Sequence, residues 1–197
     1  MARSIEELDQ LIDEILLASR LDVRDANDAS ALGPTEEVDL VGLAAEECAR
    51  TGADLDIAPG VSPVLLQGHA RLLRNLLENA RRYGKPVPPN ATEAGAAADV
   101  RLTMAMSDTA TPEKKSADNR AHCKVVICVE DRGPGVPADL RERIFEPFYR
   151  LPGASEREGG VGLGLSLVKT IAERHGGHVR CEAREGGGAR FVVELPL

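Results

Sequence analysis

The chain is 197 residues long, with 43% apolar and 28% charged residues, which is room for one domain and a short appendage in a soluble globular composition. Its 24 basic and 32 acidic side chains leave a net charge of −8 and a pI near 5.1, so nothing favours nucleic acid or an anionic membrane surface as a partner, and any anion must be held locally. No apolar run approaches the roughly 18 to 20 residues of a membrane span, and MARSIEELDQ lacks the features of a signal peptide, which makes a cytoplasmic chain the expectation.

In chain order, residues 5–22 place Ile5, Leu8, Ile12 and Ile15 at alternating steps of three and four, one apolar stripe along a helix. Two heptads do not distinguish a coiled coil from a surface helix. Residues 23–36 lose that period, gain Asp, Asn, Ser, Gly and Pro, and read as a linker. VDLVGLAAEECARTG then predicts a short strand and a helix stopped by Gly52, ADLDIA a strand, and residues 70–83 a long helix. Residues 85–98 are too rich in proline and too poor in large apolar side chains for regular structure. ADVRLTMAM and HCKVVICVE are strand candidates joined by the polar stretch 107–120, a hairpin loop. GVGLGLSLVKTIAERHGG opens on glycines and becomes a helix, and GHVRCEA and ARFVVELPL close the chain as strands around EGGG. Without a regular βαβ alternation, the expected fold is α+β, a two-layer sandwich with helices on one face of a mixed sheet.

The four cysteines, Cys48, Cys123, Cys128 and Cys181, form no CxxC pair and suggest no disulfide framework. His175-x-x-His178-x-x-Cys181 has metal-like spacing, but Gly176-Gly177 interrupts it, so a helix cap followed by a strand is the better reading.

Four elements carry chemistry. On the helix LLRNLLENARRYG, Leu72, Leu73, Leu76, Leu77 and Ala80 share a core arc of about 140°. Asn75, Asn79, Arg82 and Tyr83 share the adjoining arc of about 100°, whereas Arg71, Arg74, Glu78 and Arg81 point elsewhere. Amide oxygens can ligate Mg²⁺, a guanidinium can clamp phosphate and a Tyr ring can cover a base, although a solvated helix shoulder has the same look. Asp131, at the end of an apolar strand, precedes Gly133 and Gly135; such a carboxylate can accept from an exocyclic amine, and the pattern also suits an ordinary turn. IFEPFYR gathers Phe145, Phe148 and Tyr149, three of the five Phe and Tyr residues, ahead of the glycine-rich segment LPGASEREGG, a lid or a satellite cluster under a loop. Finally, Gly160, Gly162 and Gly164 precede a helix, where exposed N–H groups and the helix dipole favour phosphate. Taken alone this is a weak motif, and it lacks the preceding strand of a dinucleotide fold.

In order and spacing these elements resemble the N box, first glycine box, F box and second glycine box of the sensor histidine kinases, over residues 37–197. The resemblance implies a Bergerat-type ATP-binding domain at 37–197, a linker at 23–36, and at 1–22 a remnant of the second helix of the dimerisation and phosphotransfer domain. It implies ATP and Mg²⁺ as ligands, with Asn79 on the metal, Asn75 its polar neighbour, Arg82 on phosphate and Tyr83 over the nucleotide. Asp131 would accept from the adenine amine, with Gly133 and Gly135 shaping the pocket. Gly160, Gly162, Leu163, Gly164 and Leu165 would form the lid and phosphate loop, and Arg150 would meet the γ-phosphate; Asn75, Arg82 and Arg150 are the residues expected to act in transfer. Three features depart from the family pattern: Arg132 stands where Asn is common, His69 where Asp is frequent, and the polar stretches 85–98 and 107–120 are long.

None of His69, His122, His175 and His178 has the setting of the family's phosphoacceptor, whose imidazole precedes an acidic residue in a helix ahead of the catalytic domain. The expectation is a catalytic fragment of a longer sensor anchored in the inner membrane. Its partners would be a phosphotransfer-domain histidine and a cognate response regulator, with no nucleic acid, the membrane only through the rest of the parent protein, and dimerisation open through the N-terminal helix. Gyrase, mismatch-repair ATPases and the ninety-kilodalton chaperones look similar but carry Glu, a base for water, where this chain has Asn75. That amide points to transfer rather than hydrolysis; a non-catalytic nucleotide-binding module is the other alternative.

Overall fold

The structure is a computed structural model and describes residues 36–61, 64–68, 71–84, 100–108, 123–152 and 161–197. The helix expected at 5–22, the linker up to residue 35, the polar stretch 85–98, residues 109–120 of the second one, Gly160, His69 and His122 lie outside the described residues. Ser107 and Asp108, expected in the second stretch's loop, continue a strand instead because they pair with Lys124 and Cys123.

Strand β1 (Glu36–Asp39) runs directly into helix α1 (Leu40–Thr51). Asp39 caps it by accepting from the Val41 N–H at 3.1 Å, and Gly52 ends it in the left-handed conformation with φ 74°. Strand β2 (Asp54–Ile57), strand β3 (Leu65–Gly68) and helix α2 (Arg71–Tyr83) follow. Next come β4 (Val100–Asp108) and β5 (Cys123–Asp131), paired antiparallel along their whole length from Val100 opposite Asp131 to Asp108 opposite Cys123. Two short 3-10 turns, Ala138–Leu140 and Arg143–Phe145, lead toward helix α3 (Gly164–Arg174) and the hairpin of β6 (His178–Ala183) and β7 (Ala189–Pro196).

The main sheet has the order β2-β4-β5-β7-β6 and is mixed, because β2 lies parallel to β4 and every other pair is antiparallel. Side chains alternate across it. Leu102, Met104, Val125, Ile127, Val129, Phe191, Val193 and Leu195 fall on one face and are buried against the leucine stripe of α2 and against Leu167, Val168 and Ile171 of α3. The expected α+β sandwich, helices on one side, is therefore the observed one. Phe145 joins this core edge-on to Phe191, ring centroids 6.4 Å apart.

Strand β3 is not apparent in the sequence. Among the described residues it pairs only with β1, in a small separate antiparallel sheet, and four residues, LLQG, are too few for a period to show. The segment 175–181 is a helix end and strand: His175 Nδ1 lies 2.8 Å from the Ile171 carbonyl, Gly176 takes φ 69°, and β6 begins at His178. All four cysteines are unpaired thiols. Among the described residues no helix is long and apolar enough to cross a membrane.

Candidate functional site

Helix α2 forms because a leucine every third or fourth residue gives it one strongly apolar face, and that face fixes which way its flanks point. Leu72, Leu73, Leu76, Leu77 and Ala80 are all buried, whereas Asn75, Asn79 and Arg82 are half-buried and Tyr83 is exposed at the helix end. The flank bearing the two asparagines meets the start of α3. Asn75 Nδ2 donates to the Gly164 carbonyl at 3.3 Å. A Cβ on Gly164 would stand 3.5 Å from Asn79 Nδ2 and 3.9 Å from Asn75 Cγ, so any side chain there would fill the space between the amides and the helix start. The N-cap of α3 is Leu163, whose side chain is buried and cannot accept from the first-turn N–H groups; Leu165 is half-buried. An eleven-residue helix thus presents its N-terminus beside two carboxamides.

The far end of α2 abuts the end of β5. A Cβ on Gly133 would lie 2.4 Å from the Tyr83 carbonyl oxygen and 2.8 Å from Gly84 Cα, a backbone-to-backbone approach that only glycine permits. Gly84, in turn, lies against the Asp131 side chain. On the other side the β6–β7 turn closes in. Gly188 has φ 101°, and a Cβ there would fall 1.9 Å from the Asp131 carbonyl oxygen; Gly135 sits against the Gly188 carbonyl.

Asp131 is buried in this cradle. Its Oδ1 accepts from the Gly133 N–H at 2.9 Å and the Ala189 N–H at 3.2 Å. Both of its hydrogen bonds among the described residues fall on that one oxygen. Burial pushes the carboxyl above the ordinary aspartate value, and the two backbone donors and the positive charge of Arg184 pull it partly back.

The aromatic segment is stitched to the second glycine run. Phe148 takes φ 63°, is 58% exposed, and donates its N–H to the Gly162 carbonyl at 3.0 Å. Gly162 packs on the Phe148 and Tyr149 backbone, leaving no room for a Cβ. The Arg143 guanidinium lies over the Tyr149 ring, 4.6 Å from its centroid. Arg150 is half-buried one residue beyond.

Of the residues singled out in the sequence, the fold brings Asn75, Asn79 and Gly164 together along the middle of α2, and Tyr83, Asp131, Gly133 and Gly135 at its C-terminal end. Gly84, Gly188 and Ala189, which enclose Asp131, do not stand out in the sequence, where EGGG reads as a turn between strands. Three successive glycines, more than a two-residue hairpin needs, are the signal that backbone is approached closely there. Among the described residues no group of three or more His, Cys, Asp or Glu side chains is placed to hold a metal.

The chain is 34% identical to the Escherichia coli K12 sensor protein RstB over 212 residues, covering 99% of this chain and 40% of RstB. It is 32% identical to the sensor histidine kinase CpxA of the same organism over 194 residues, covering 98% of this chain and 38% of CpxA. It therefore spans about two fifths of the length of these relatives. Full-length ShkA, solved in complex with AMPPNP, superposes with a TM-score of 0.63 at 28% identity, covering 98% of this chain and 36% of that one. The mycobacterial sensor histidine kinase MprB shares the fold, with a TM-score of 0.54 at 23% identity, covering 82% of this chain and 97% of that one. A family profile described as "Histidine kinase-, DNA gyrase B-, and HSP90-like ATPase" matches residues 67–197, and the chain belongs to that family.

Proposed function

We propose that residues 37–197 are the ATP-binding catalytic domain of a sensor histidine kinase and transfer the γ-phosphate of ATP to a histidine on a phosphotransfer domain. The observation that carries this reading is the meeting of Asn75 and Asn79 with Gly164 at the uncapped start of α3, where carboxamides and helix N–H groups converge on a space suited to phosphate. The adenine end fits as well: Asp131 Oδ2 accepts no hydrogen bond among the described residues and is a natural acceptor for an exocyclic amine. ShkA, which holds AMPPNP, an ATP analogue, is consistent with it.

Asn79 is the side chain to ligate Mg²⁺, which when bound would neutralise phosphate charge. Asn75 holds the start of α3, Arg82 and Arg150 meet phosphate oxygens, and Tyr83 covers the nucleotide. Gly133 and Gly135 shape the adenine pocket; Gly160, Gly162, Leu163, Gly164 and Leu165 wrap the phosphates. In transfer, an imidazole nitrogen forms a bond to the γ-phosphorus as the bond to the ADP oxygen breaks, and the ring's remaining proton passes to solvent. Asn75 cannot take a proton from water, so the site favours transfer over hydrolysis. The parent protein is a membrane-anchored sensor, the 1–22 segment belongs to its dimerisation and phosphotransfer region, and its product is passed to a response regulator.

No acceptor histidine is available within the described fold. His175 lies at the far end of α3, roughly 15 Å of helix from Gly164, with its ring against the Ile171 carbonyl, and His178 follows it. With labelled Mg²⁺-ATP the chain alone is expected to give no acid-labile phosphohistidine and to phosphorylate a separately supplied phosphotransfer domain. Label retained on the chain itself, or no transfer to a cognate acceptor despite tight ATP binding, would overturn the reading. Asn79→Ala is expected to abolish the gain in ATP affinity that Mg²⁺ confers; calorimetry with and without EDTA measures it.

A further inference from the structure

The flank of α2 that faces α1 carries a charge cluster that the nucleotide reading does not use. Glu47 of α1 has a side chain only 2% exposed and is held by two guanidinium groups. Its Oε1 accepts from Arg74 Nε and Nη2 at 3.1 and 3.0 Å. Its Oε2 accepts from Arg50 Nε at 2.8 Å and lies 2.7 Å from Arg50 Nη2. Arg50 Nη2 in turn donates to Glu78 Oε1 at 3.1 Å. The series Arg74–Glu47–Arg50–Glu78 ties α1 to α2 at two positions one helical turn apart. Each of those positions immediately precedes one of the asparagines, Asn75 and Asn79.

Helix α2 is therefore gripped on one flank by ionic hydrogen bonds and meets α3 with the next flank round, about 100° away. Its buried aliphatic face sets which side of the helix points inward, and the three directional hydrogen bonds on Glu47, with a fourth guanidinium contact, add an angular restraint that non-directional apolar packing lacks. A 10° turn about the axis would move an amide roughly 5 to 6 Å out by about 1 Å, a displacement that matters at a site built on positioning.

We infer that Glu47 is a positioning residue that, through Arg74 and the Arg50–Glu78 bridge, sets the rotation of α2 and hence the aim of Asn75 and Asn79 at the start of α3. Its functional consequence rests on the reading of that stripe as the metal- and phosphate-facing side of an ATP site. The test uses the full chain with Glu47→Met/Arg74→Met, which replaces charge by apolar volume, and with Glu47→Asp, which keeps the charge on a shorter arm. Two quantities are read: the Asn75 and Asn79 side-chain amide resonances without nucleotide, and the ratio of ATP affinity in Mg²⁺ to that in EDTA.

The expected result for the double variant is a wild-type melting temperature within a few degrees, displaced Asn75 and Asn79 amide signals, and a Mg²⁺/EDTA ratio about tenfold lower. Folded variants with unmoved amides and a wild-type ratio overturn the inference. Should the double variant not fold, Glu47→Asp decides alone by the same two readouts. If the wild-type chain shows no Mg²⁺-dependent ATP binding, the nucleotide reading fails by itself, and the amide resonances still determine whether Glu47 orients the stripe.

Discussion

Asp131 and Glu194 sit on opposite faces of the same sheet, at the end of β5 and on β7, and are shifted in opposite directions. On the face away from the helices, Glu194 meets Lys124, Arg180 and His178, and its carboxyl is held down to about 2, chiefly by the hydrogen bond from Lys124 and then by that from Arg180. Glu130 and Glu182 share Arg190 two cross-strand rows along the same face, with Arg180 in the row between, and Arg184 extends the network. On the helix side, Asp131 is buried, bonded among the described residues only to backbone N–H groups, and shifted upward. A carboxylate whose neighbours are cations is already satisfied. One that has been desolvated and left with one oxygen's acceptor capacity open is prepared for a ligand, at some expense in stability.

The largest effect is expected where that cradle cannot give. Gly188→Ala would place a methyl group 1.9 Å from the Asp131 carbonyl oxygen at φ 101°, whereas Gly187→Ala, with φ 96°, meets nothing within 4 Å. Gly188→Ala should lower stability by about 3 kcal/mol and take nucleotide binding with it, and Gly187→Ala should cost only about 1 kcal/mol of backbone strain. Denaturant melts of both compare them directly. Equal losses would mean that the cradle is not as tight as its geometry.

Asp131→Asn sharpens the comparison further, because an amide oxygen can still accept from Gly133 and Ala189 while the charge disappears. ATP affinity should fall about 10- to 100-fold, the worth of a charged hydrogen bond, and preference over GTP should vanish. Stability should hold or rise at pH 7. The raised carboxyl disfavours the ionised fold above its own titration point, so the advantage of Asn should shrink as the pH falls and the native Asp131 takes up a proton. A clear loss of melting temperature at pH 7 would show that the carboxylate is structural.

Glu194→Gln should have the smallest effect and the opposite pH dependence. A lowered carboxyl contributes its full stabilisation above the ordinary glutamate value, roughly 4.3, and loses it as the pH falls toward about 2. The variant should be less stable at pH 7 by about 1 kcal/mol or less, given the network's exposure, and indistinguishable at the acid end. ATP affinity should not change. A binding defect in this variant would mean that the two faces are coupled.

Much of this was legible in the residues themselves. The leucine period of α2 placed Asn75, Asn79, Arg82 and Tyr83 on one flank, and the structure puts both asparagines against Gly164. Strong local periods survive into the fold because the apolar face that creates them is the one that is buried. Strand β3 was not legible, since its partner, β1, is more than twenty residues away in the chain.

The sequence by itself determined the longer helices and strands, their amphipathic faces and the identities of the polar side chains beside them, because helix and strand periods are local properties of the chain. Only the tertiary structure decided that Arg74 and Glu78, which in the sequence merely point away from the core, close on Glu47 and Arg50 of another helix. It alone decided that a turn near the C-terminus donates to Asp131 across 58 residues. Such contacts join segments whose separation no local period encodes; they arise when the sheet order brings β7 beside β5 and the leucine stripe presses α2 between α1 and α3.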